Sequence, residues 1–276
     1  KVRGGAGMAG GSANRFWPIS RESRPKQFLD IASSGRSLIR MTYDRFSKLV
    51  PKENILVVTL DKFGELVQEQ IPELPTNNLL LEPYSRNTAP CIAYSTLEII
   101  KRNPDATIVV TPADHIITDE ESFGKAVEEI LSEAENKGIL MTMGITPTGP
   151  DTGYGYIQVA GGKAAAQSDE PVKVKTFTEK PDKSLAEVFC KSGEFFWNSG
   201  IFAWKASVIL EELEKRGIAE DTVIVLAADH YPYGLTIEQM RLLAGKHFDS
   251  TFGLYENNMI IYNPGQKPVE VSKICS

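Results

Sequence analysis

Short runs of β-branched and other apolar residues alternate along this chain with polar stretches of helical spacing. Ile55 to Leu60 and Thr107 to Val110 are strand-length apolar runs, and Ser122 to Lys137 has the spacing of an amphipathic helix. A strand that is apolar at every position is covered on both faces, because neither set of side chains can face water. The pattern predicts an α/β fold with a mixed, mostly parallel sheet, and a ligand site beyond the carboxyl ends of its strands.

The remaining stretches extend this prediction along the chain. Gly161 to Ser168 is a run of small residues and predicts a hairpin loop or a mobile excursion. Further strands are predicted at Leu79 to Leu81, Ile139 to Gly144 and Val172 to Thr178, and helices at Ser184 to Lys191 and Lys205 to Arg216.

Charge and cysteine content exclude several classes of partner. The chain has 30 basic and 36 acidic residues, so its net charge is −6, which gives no basic surface for nucleic acid or an acidic membrane. No run approaches the roughly 18 apolar residues of a membrane-spanning helix. The three cysteines, Cys91, Cys190 and Cys275, form no CxxC pair, and we expect a reducing, cytoplasmic setting.

The segment from Met8 to Phe28 is a candidate phosphate loop. Gly10 and Gly11 allow backbone N–H groups to approach a phosphate closely, and Arg15 and Lys26 supply positive charge. The glycines alone favour a flexible tail with scattered surface cations. The two cations, together with the Phe-Trp-Pro and Pro-Lys-Gln triplets, favour a phosphate loop.

Two more groups of polar residues follow predicted strands. Asp114 comes directly after a buried strand, where a carboxylate can hold Mg²⁺ against phosphate oxygens, although a helix cap or turn residue is the alternative. Its neighbour His115 is a secondary candidate, either a base or a structural hydrogen-bonding group. Glu82, Arg86, Asn87 and Thr88 cluster after another strand. They can read a guanine ring, cap a helix that begins near Thr88, or do both.

These motifs, in this order, resemble the signature of the sugar-nucleotide pyrophosphorylases, in particular the mannose-1-phosphate guanylyltransferases. The resemblance covers Met8 to about Arg216. It implies that Asp114 binds a metal and is not only a helix cap or turn residue. The residues that carry it are Ala9 to Arg21, Pro25 to Phe28, Glu82 to Pro90, Thr111 to His115, Gly144 to Ile157, Phe177 to Pro181 and Trp197 to Phe202.

The resemblance implies a three-layer, Rossmann-like nucleotidyltransferase (GT-A-like) core. It also implies that GMP passes from GTP to mannose 1-phosphate with Mg²⁺ held by Asp114, releasing pyrophosphate. Trp197 and Phe202 are expected in the core. The implied catalytic residues are Arg15, Lys26 and Asp114; the nucleotide-binding residues are Ala9, Gly10, Gly11, Glu82, Arg86, Asn87, Thr88, Pro112 and Ala113; the sugar-phosphate-binding residues are Gly153, Tyr154, Glu179, Lys180 and Asn198.

The chain departs from the family pattern at three points. Lys1 to Gly7 is not the apolar run expected before the glycine loop, so a weak or absent first strand is predicted. Ala13 replaces a loop glycine, which strains the loop if that position needs a positive φ. The second metal-binding aspartate of the family has no counterpart after Gly217. These departures bear on activity more than on fold.

The last sixty or so residues resemble a different family. Asp221 to Gly234 and Ile260 to Gly265 are similar to alkaline-phosphatase-like sulfatases and phosphoglycerol transferases, which implies an alternative metal site at Asp229 and His230, with His247 a weaker candidate. We therefore expect a nucleotidyltransferase domain at 1–216 and a segment of separate origin at 217–276. Two alternative functions stay open: a metal-dependent phosphoester or sulfoester hydrolase or phosphoglycerol transferase, and a non-catalytic nucleotide-binding remnant. The oligomeric state, monomer or homodimer, also stays open.

Overall fold

The computed structural model describes residues 3–8, 19–83, 88–167 and 170–208, and three later strands at 224–226, 259–262 and 269–271. For 3–8, 88–90, 93 and the later strands it describes the backbone alone. Strands β1 to β8 form one eight-stranded sheet.

One half of this sheet is parallel. It contains β1 (Arg3–Met8), β2 (Ile55–Leu60), β3 (Leu79–Glu82) and β4 (Thr107–Pro112), in the order β3-β2-β1-β4. The prediction of a weak or absent first strand is wrong, because β1 pairs with both β2 and β4 in the centre of this half. Ladder hydrogen bonds are made by the backbone, so the lack of an apolar run did not prevent a strand.

The other half of the sheet is antiparallel. Strand β8 (Phe195–Lys205) pairs with β4, β5 (Met141–Ile145) and β6 (Tyr156–Val159), and β6 pairs with β7 (Val174–Thr178). The predicted α/β class with a mixed sheet is confirmed, and its parallel strands are concentrated in one half.

Helices cover both faces of the sheet. Helices α1 (Leu38–Phe46), α2 (Gly64–Gln70) and α4 (Glu120–Lys137) contribute to the hydrophobic cluster on one face, and α3 (Thr88–Arg102) contributes to the cluster on the other. Alternate residues of β2 face the two clusters, Val57 the first and Val58 the second. The three layers that the sequence predicts are therefore present.

Local signals fix where the helices begin and end. Ser37, Asp119 and Asp182 accept hydrogen bonds from backbone N–H groups in the first turns of α1, α4 and α6 (Lys183–Ser192). Gly138 ends α4 with φ +61°, a conformation that residues with a Cβ rarely adopt.

Several smaller predictions can be compared with the structure. The hairpin predicted at 161–168 lies between the paired strands β6 and β7 and contains a short helix, α5 (Gly162–Ala166). The predicted start of a helix at Lys205 is wrong, because Lys205 is the last residue of β8; positions from 209 to 216 lie outside the described residues. Trp197 and Phe202 are half-buried and pack against core clusters.

The three later strands form a separate antiparallel sheet. These are β9 (Ile224–Leu226), β10 (Met259–Tyr262) and β11 (Val269–Val271), with β10 in the middle. Among the described residues, no helix is both long and apolar enough to cross a lipid bilayer.

Candidate functional site

A lysine and an aspartate meet beyond the carboxyl end of β4. Asp114 lies two residues past β4, and Lys26 begins a short 3₁₀ turn (Lys26–Phe28) that precedes α1. The Lys26 Nζ forms an ion pair with Asp114 Oδ2, and the side chains are only 24% and 20% exposed. The structure therefore brings together two residues that are 88 positions apart in the chain and that the sequence assigns to one site.

The turn that carries Lys26 is anchored in the core. Phe28 is 1% exposed, and its ring lies 5.5 Å from the ring of Phe63, measured between centroids. Phe28 N donates to Pro25 O and Leu29 N donates to Lys26 O, which closes the turn. The backbone of Lys26 is thus fixed on one side by buried aromatic packing.

A buried arginine lies near enough to His115 to affect its electrostatics. Arg45 on α1 is 3% exposed, its Nε lies 3.5 Å from Glu120 Oε1, and its guanidinium carbon lies 5.7 Å from the Phe123 ring centroid. Sequence reasoning missed Arg45. Arg45 lies seven residues after Leu38 and therefore on the apolar face of α1. That spacing could have indicated from the sequence that Arg45 is buried.

The surroundings of His115 disfavour its charged form. Burial lowers the pKa of the imidazole, and the nearby cations Lys26 and Arg45 lower it further, against the opposing effect of Asp114. The neutral imidazole is therefore favoured more strongly than in an unperturbed histidine. The neutral form is compatible with both roles that the sequence leaves open, a base and a structural hydrogen-bonding group.

Glu82 ends β3 on the same sheet edge but at a distance from Asp114. Three strand spacings of about 4.8 Å place it roughly 14 Å from the end of β4. Burial raises the pKa of Glu82, and burial together with Glu82 raises the pKa of the Cys91 thiol to about 12. Cys91 is therefore an inert core thiol.

Part of the predicted site cannot be compared with the structure. Thr88 begins α3, as the sequence predicts, although only its backbone is described. The following predicted site residues lie outside the described residues: Ala9, Gly10, Gly11, Arg15, Arg86, Asn87, Asp229 and His230, together with Ala13 and His247.

A second group of predicted residues meets in the antiparallel half. A Cβ placed on Gly155 would lie 2.7 Å from Glu179 Oε2 and 3.5 Å from the Asn198 Cβ, and Asn198 N donates to Gly155 O over 2.7 Å. Gly155, Glu179 and Asn198 therefore line one small space, in which the missing side chain of the glycine leaves room for the carboxylate.

The loop before β6 is held by its own polar groups and by an aromatic contact. Gly153 N donates to Asp151 Oδ1 over 2.6 Å, and the Tyr156 hydroxyl donates to Asp151 O over 3.0 Å. The Tyr154 ring packs on the Trp197 ring with 4.9 Å between centroids. The sequence did not predict this contact, which holds the ring of Tyr154 against β8.

Lys180 follows Glu179 in an unusual backbone conformation. Its φ is +40°, and it is one of two non-glycine residues with positive φ among those described. Its Nζ lies 2.7 Å from Glu179 Oε1, and both side chains are more than half exposed. The ammonium group is therefore available to an anion from solvent.

One glycine joins the two groups. Gly200 has φ +71°, and a Cβ there would lie 3.1 Å from Pro112 Cγ, two residues before Asp114. Gly200 N donates to Asn198 Oδ1 over 3.0 Å, which orients the side-chain amide of Asn198. The Asp114 segment and the Asn198 segment are thus in direct contact.

The candidate site can hold a hard cation such as Mg²⁺ with only one or two protein ligands. In the part of the chain that the structure describes, no three His, Cys, Asp or Glu side chains cluster as metal ligands. Mg²⁺ commonly uses one or two carboxylates and takes its other oxygens from water and substrate phosphates. Asp114 fits that requirement, because it is a partly buried carboxylate just beyond the carboxyl end of β4.

Comparison with known proteins finds a matching family and several similar proteins. The family described as "Nucleotidyl transferase" matches residues 7–241. "Mannose-1-phosphate guanylyltransferase 2" of Escherichia coli O157:H7 is 43% identical over 215 residues, which are 75% of this chain and 44% of that protein. The chain thus spans less than half the length of the curated relatives it matches.

Two solved structures are similar over most of the chain. One, described as a "mannose-1-phosphate geranyltransferase" from Thermus thermophilus, has a TM-score of 0.69 and 31% identity and covers 79% of this chain and 62% of its own. The other, described as a "mannose-6-phosphate isomerase" from Helicobacter pylori, has a TM-score of 0.62 and 30% identity and covers 87% of this chain and 89% of its own.

Proposed function

The chain belongs to the nucleotidyl transferase family, and from that premise we propose that it transfers GMP from GTP to mannose 1-phosphate, giving GDP-mannose and pyrophosphate. A phosphate oxygen of the sugar phosphate bonds to the α-phosphorus of GTP. The bond from that phosphorus to the oxygen bridging to the β-phosphate breaks, and pyrophosphate leaves. The nucleophile is already an anion, so the chain needs to align and neutralise charge rather than supply a base.

The observation that carries this proposal is the Lys26 and Asp114 pair beyond the carboxyl end of the parallel strands. Parallel sheets bind ligands at this edge. Asp114 would hold Mg²⁺, which when bound supplies positive charge to the phosphate oxygens. Lys26 then faces the triphosphate with its ammonium group, and Arg15 is proposed to do the same from the glycine loop.

The remaining nucleotide contacts are proposed from the family motifs. Glu82 lies roughly 14 Å from the end of β4 by strand spacing, a separation that suits a base at one end and a triphosphate at the other. The backbone at Pro112 and Ala113 and the following residues would complete the subsite: Ala9, Gly10, Gly11, Arg86, Asn87 and Thr88.

The sugar phosphate is proposed to bind in the antiparallel half. Glu179 and the oriented Asn198 amide offer an acceptor and donors to hexose hydroxyls, and Gly153 and Tyr154 would cover the ring. Lys180 would neutralise the sugar phosphate. The contact of Gly200 with Pro112 supports this arrangement, since it joins the hexose side to the segment that carries Asp114.

Release of pyrophosphate tests the proposal. The protein is incubated with GTP, mannose 1-phosphate and Mg²⁺, and pyrophosphate is measured with and without EDTA. We expect Mg²⁺-dependent release that requires both substrates and exceeds release with ATP or UTP. Absence of release from folded protein that still binds GTP would support the non-catalytic alternative and overturn the proposed activity.

The second alternative has a separate assay. Hydrolysis of a p-nitrophenyl phosphate or sulfate ester that disappears in Asp229→Ala would support the hydrolase. No described residue favours that function, since Asp229 and His230 lie outside the described residues.

We also propose a domain boundary near 216 and a cytoplasmic location. The strands after 217 pair with one another and, among the described pairings, with no strand of the main sheet, which supports the boundary. The free thiols of Cys91 and Cys190 support a reducing setting.

A further inference from the structure

A glutamine at the end of α2 contacts the turn that carries Lys26. Gln70 is the last residue of α2, and its Nε2 donates to the backbone oxygen of Phe28 over 3.2 Å. Phe28 closes the 3₁₀ turn that begins at Lys26. A side chain on a different helix therefore holds the backbone two residues from the lysine.

The amide of Gln70 is itself held in one orientation. The Ser37 hydroxyl donates to Gln70 Oε1 over 2.6 Å, so the other end of the amide, the NH₂ group, is directed to Phe28. Arg40 Nη1 donates to the backbone oxygen of Gln70 over 3.4 Å and also bonds Glu73 over 2.9 Å. Two elements, α1 and α2, thus fix the donor that reaches the turn.

We propose that Gln70 is a positioning residue, which acts through the Phe28 carbonyl to keep Lys26 aligned with Asp114. The proposal rests on the function proposed above only in that Lys26 faces the triphosphate there. The described hydrogen bonds of Gln70 join it to Ser37, Arg40 and Phe28, none of which is a candidate ligand-binding residue. The core packing of Phe28 fixes one side of the turn, and the Gln70 bond fixes its carbonyl.

The geometry explains why a local change at Gln70 matters at a distance. A 3₁₀ turn is short and has poor hydrogen-bond geometry, so it resists displacement weakly by itself. Alignment is the main contribution that this chain makes to the proposed reaction, and misplacement of about 1 Å can cost on the order of 100-fold in rate. Loss of one hydrogen bond that directs the turn therefore lowers turnover without removing a ligand contact.

The test uses a nearly isosteric change. In Gln70→Glu the acceptor for Ser37 remains, but the donor to Phe28 becomes a carboxylate oxygen that the carbonyl repels. The matched control is Gln68→Glu, which makes the same change on an exposed residue of the same helix. Gln70→Met, which keeps the length and removes both hydrogen bonds, serves as a second variant if the charge prevents folding.

The first readout needs no substrate. Trace acetylation of lysines, followed by mass spectrometry, reports the accessibility of Lys26, with the exposed Lys48 as the internal reference. We expect the rate at Lys26 to rise about threefold or more in Gln70→Glu and to stay at the wild-type value in Gln68→Glu, because only the first loses the hydrogen bond. An unchanged rate in both folded Gln70 variants would overturn the proposal.

The second readout is turnover. We expect kcat to fall about tenfold in Gln70→Glu while KM for mannose 1-phosphate stays near the wild-type value, since the sugar residues lie on other elements. Equal losses in kcat for Gln70→Glu and Gln68→Glu would also overturn it. If the wild-type protein releases no pyrophosphate, the proposed function fails, and the acetylation rates still decide the role of Gln70.

Discussion

The two halves of the sheet hold their charged residues differently. In the parallel half, Lys26 and Asp114 are about one-quarter and one-fifth exposed and are paired across 88 positions of chain. In the antiparallel half, Glu179 and Lys180 are adjacent in sequence and are 68% and 52% exposed. The first pair is assembled by tertiary structure, whereas the second is presented on a loop.

This difference suits the two tasks that we propose for the halves. A partly buried pair experiences less screening by salt and is held by several elements, which suits charge neutralisation at a fixed point. An exposed pair costs little to rearrange, because surface ion pairs contribute about 0–1 kcal/mol. We infer that the parallel half determines the rate and the antiparallel half selects the sugar phosphate.

The largest effect is expected at Asp114. In Asp114→Asn the charge that would hold Mg²⁺ and that pairs with Lys26 is lost, and we expect pyrophosphate release to fall on the order of 1,000-fold. Asp105→Asn is the control, since Asp105 is 80% exposed and pairs with Lys205 at the opposite end of β4. Turnover of Asp114→Asn within fivefold of wild type would contradict the role assigned to the parallel half.

A smaller effect is expected where the halves touch. Gly200→Ala adds a Cβ 3.1 Å from Pro112 at φ +71°, and we expect a loss of about 1–2 kcal/mol in unfolding free energy, from urea titration, and about tenfold in turnover. In Gly35→Ala φ is +77° but no atom lies within 4 Å of the added Cβ, so only the stability loss is expected. Equal turnover in the two variants would show that the contact has no functional effect.

A change confined to the exposed pair comes next. In Lys180→Gln we expect KM for mannose 1-phosphate to rise about fivefold, equivalent to about 1 kcal/mol, with KM for GTP unchanged. Lys183→Gln, another exposed lysine three residues along, is expected to behave as wild type. The difference in KM between Lys180→Gln and wild type should shrink at high salt. If KM for GTP rises as well, the two halves do not act on separate substrates.

The smallest effect concerns the pH dependence of stability at Glu82. Its pKa is raised above the ordinary 4.5 by burial, so the folded state binds this proton more tightly than the unfolded chain. Its contribution to stability is therefore fully present below pH 4.5 and is lost as pH rises through the raised pKa.

Glu82→Gln has no such titration, so we expect it to be more stable than wild type at pH 7.5, with the gain disappearing at pH 4. Urea unfolding at both pH values measures this, and the exposed Glu69→Gln is the control. A gain that persists at pH 4 would show that ionisation of Glu82 is not its cause.

The sequence predicted the parallel half well because its signals are local. Strands β2 and β4 each contain a run of apolar residues and are buried on both faces, so short windows of sequence reveal them. Strand β1 was mispredicted for the complementary reason. Its glycines and alanine carry no apolar pattern, and only the neighbouring strands on both sides establish it as a strand.

The site was predicted as a set of residues but not as contacts. Family motifs proposed Asp114, Glu179 and Asn198 as site residues, and the ends of strands are where polar residues are expected to gather. No spacing rule predicts that Lys26 meets Asp114, that Tyr154 packs on Trp197, or that Gly200 touches Pro112, since each depends on how distant segments pack. Arg45 and Gln70 carry no motif and emerge only from burial and hydrogen bonding.

Strand β8 has a consequence for exchanging parts between related enzymes. Its residues from Phe202 to Lys205 pair with β4, whereas those from Phe195 to Trp197 pair with β6. A recombinant that takes its antiparallel half from a relative therefore needs two junctions, one before β5 and one between these two stretches of β8. Ser199 and Gly200 lie between these two stretches of β8. They must come from the parent that supplies Pro112, or the grafted half will be displaced from the segment that carries Asp114.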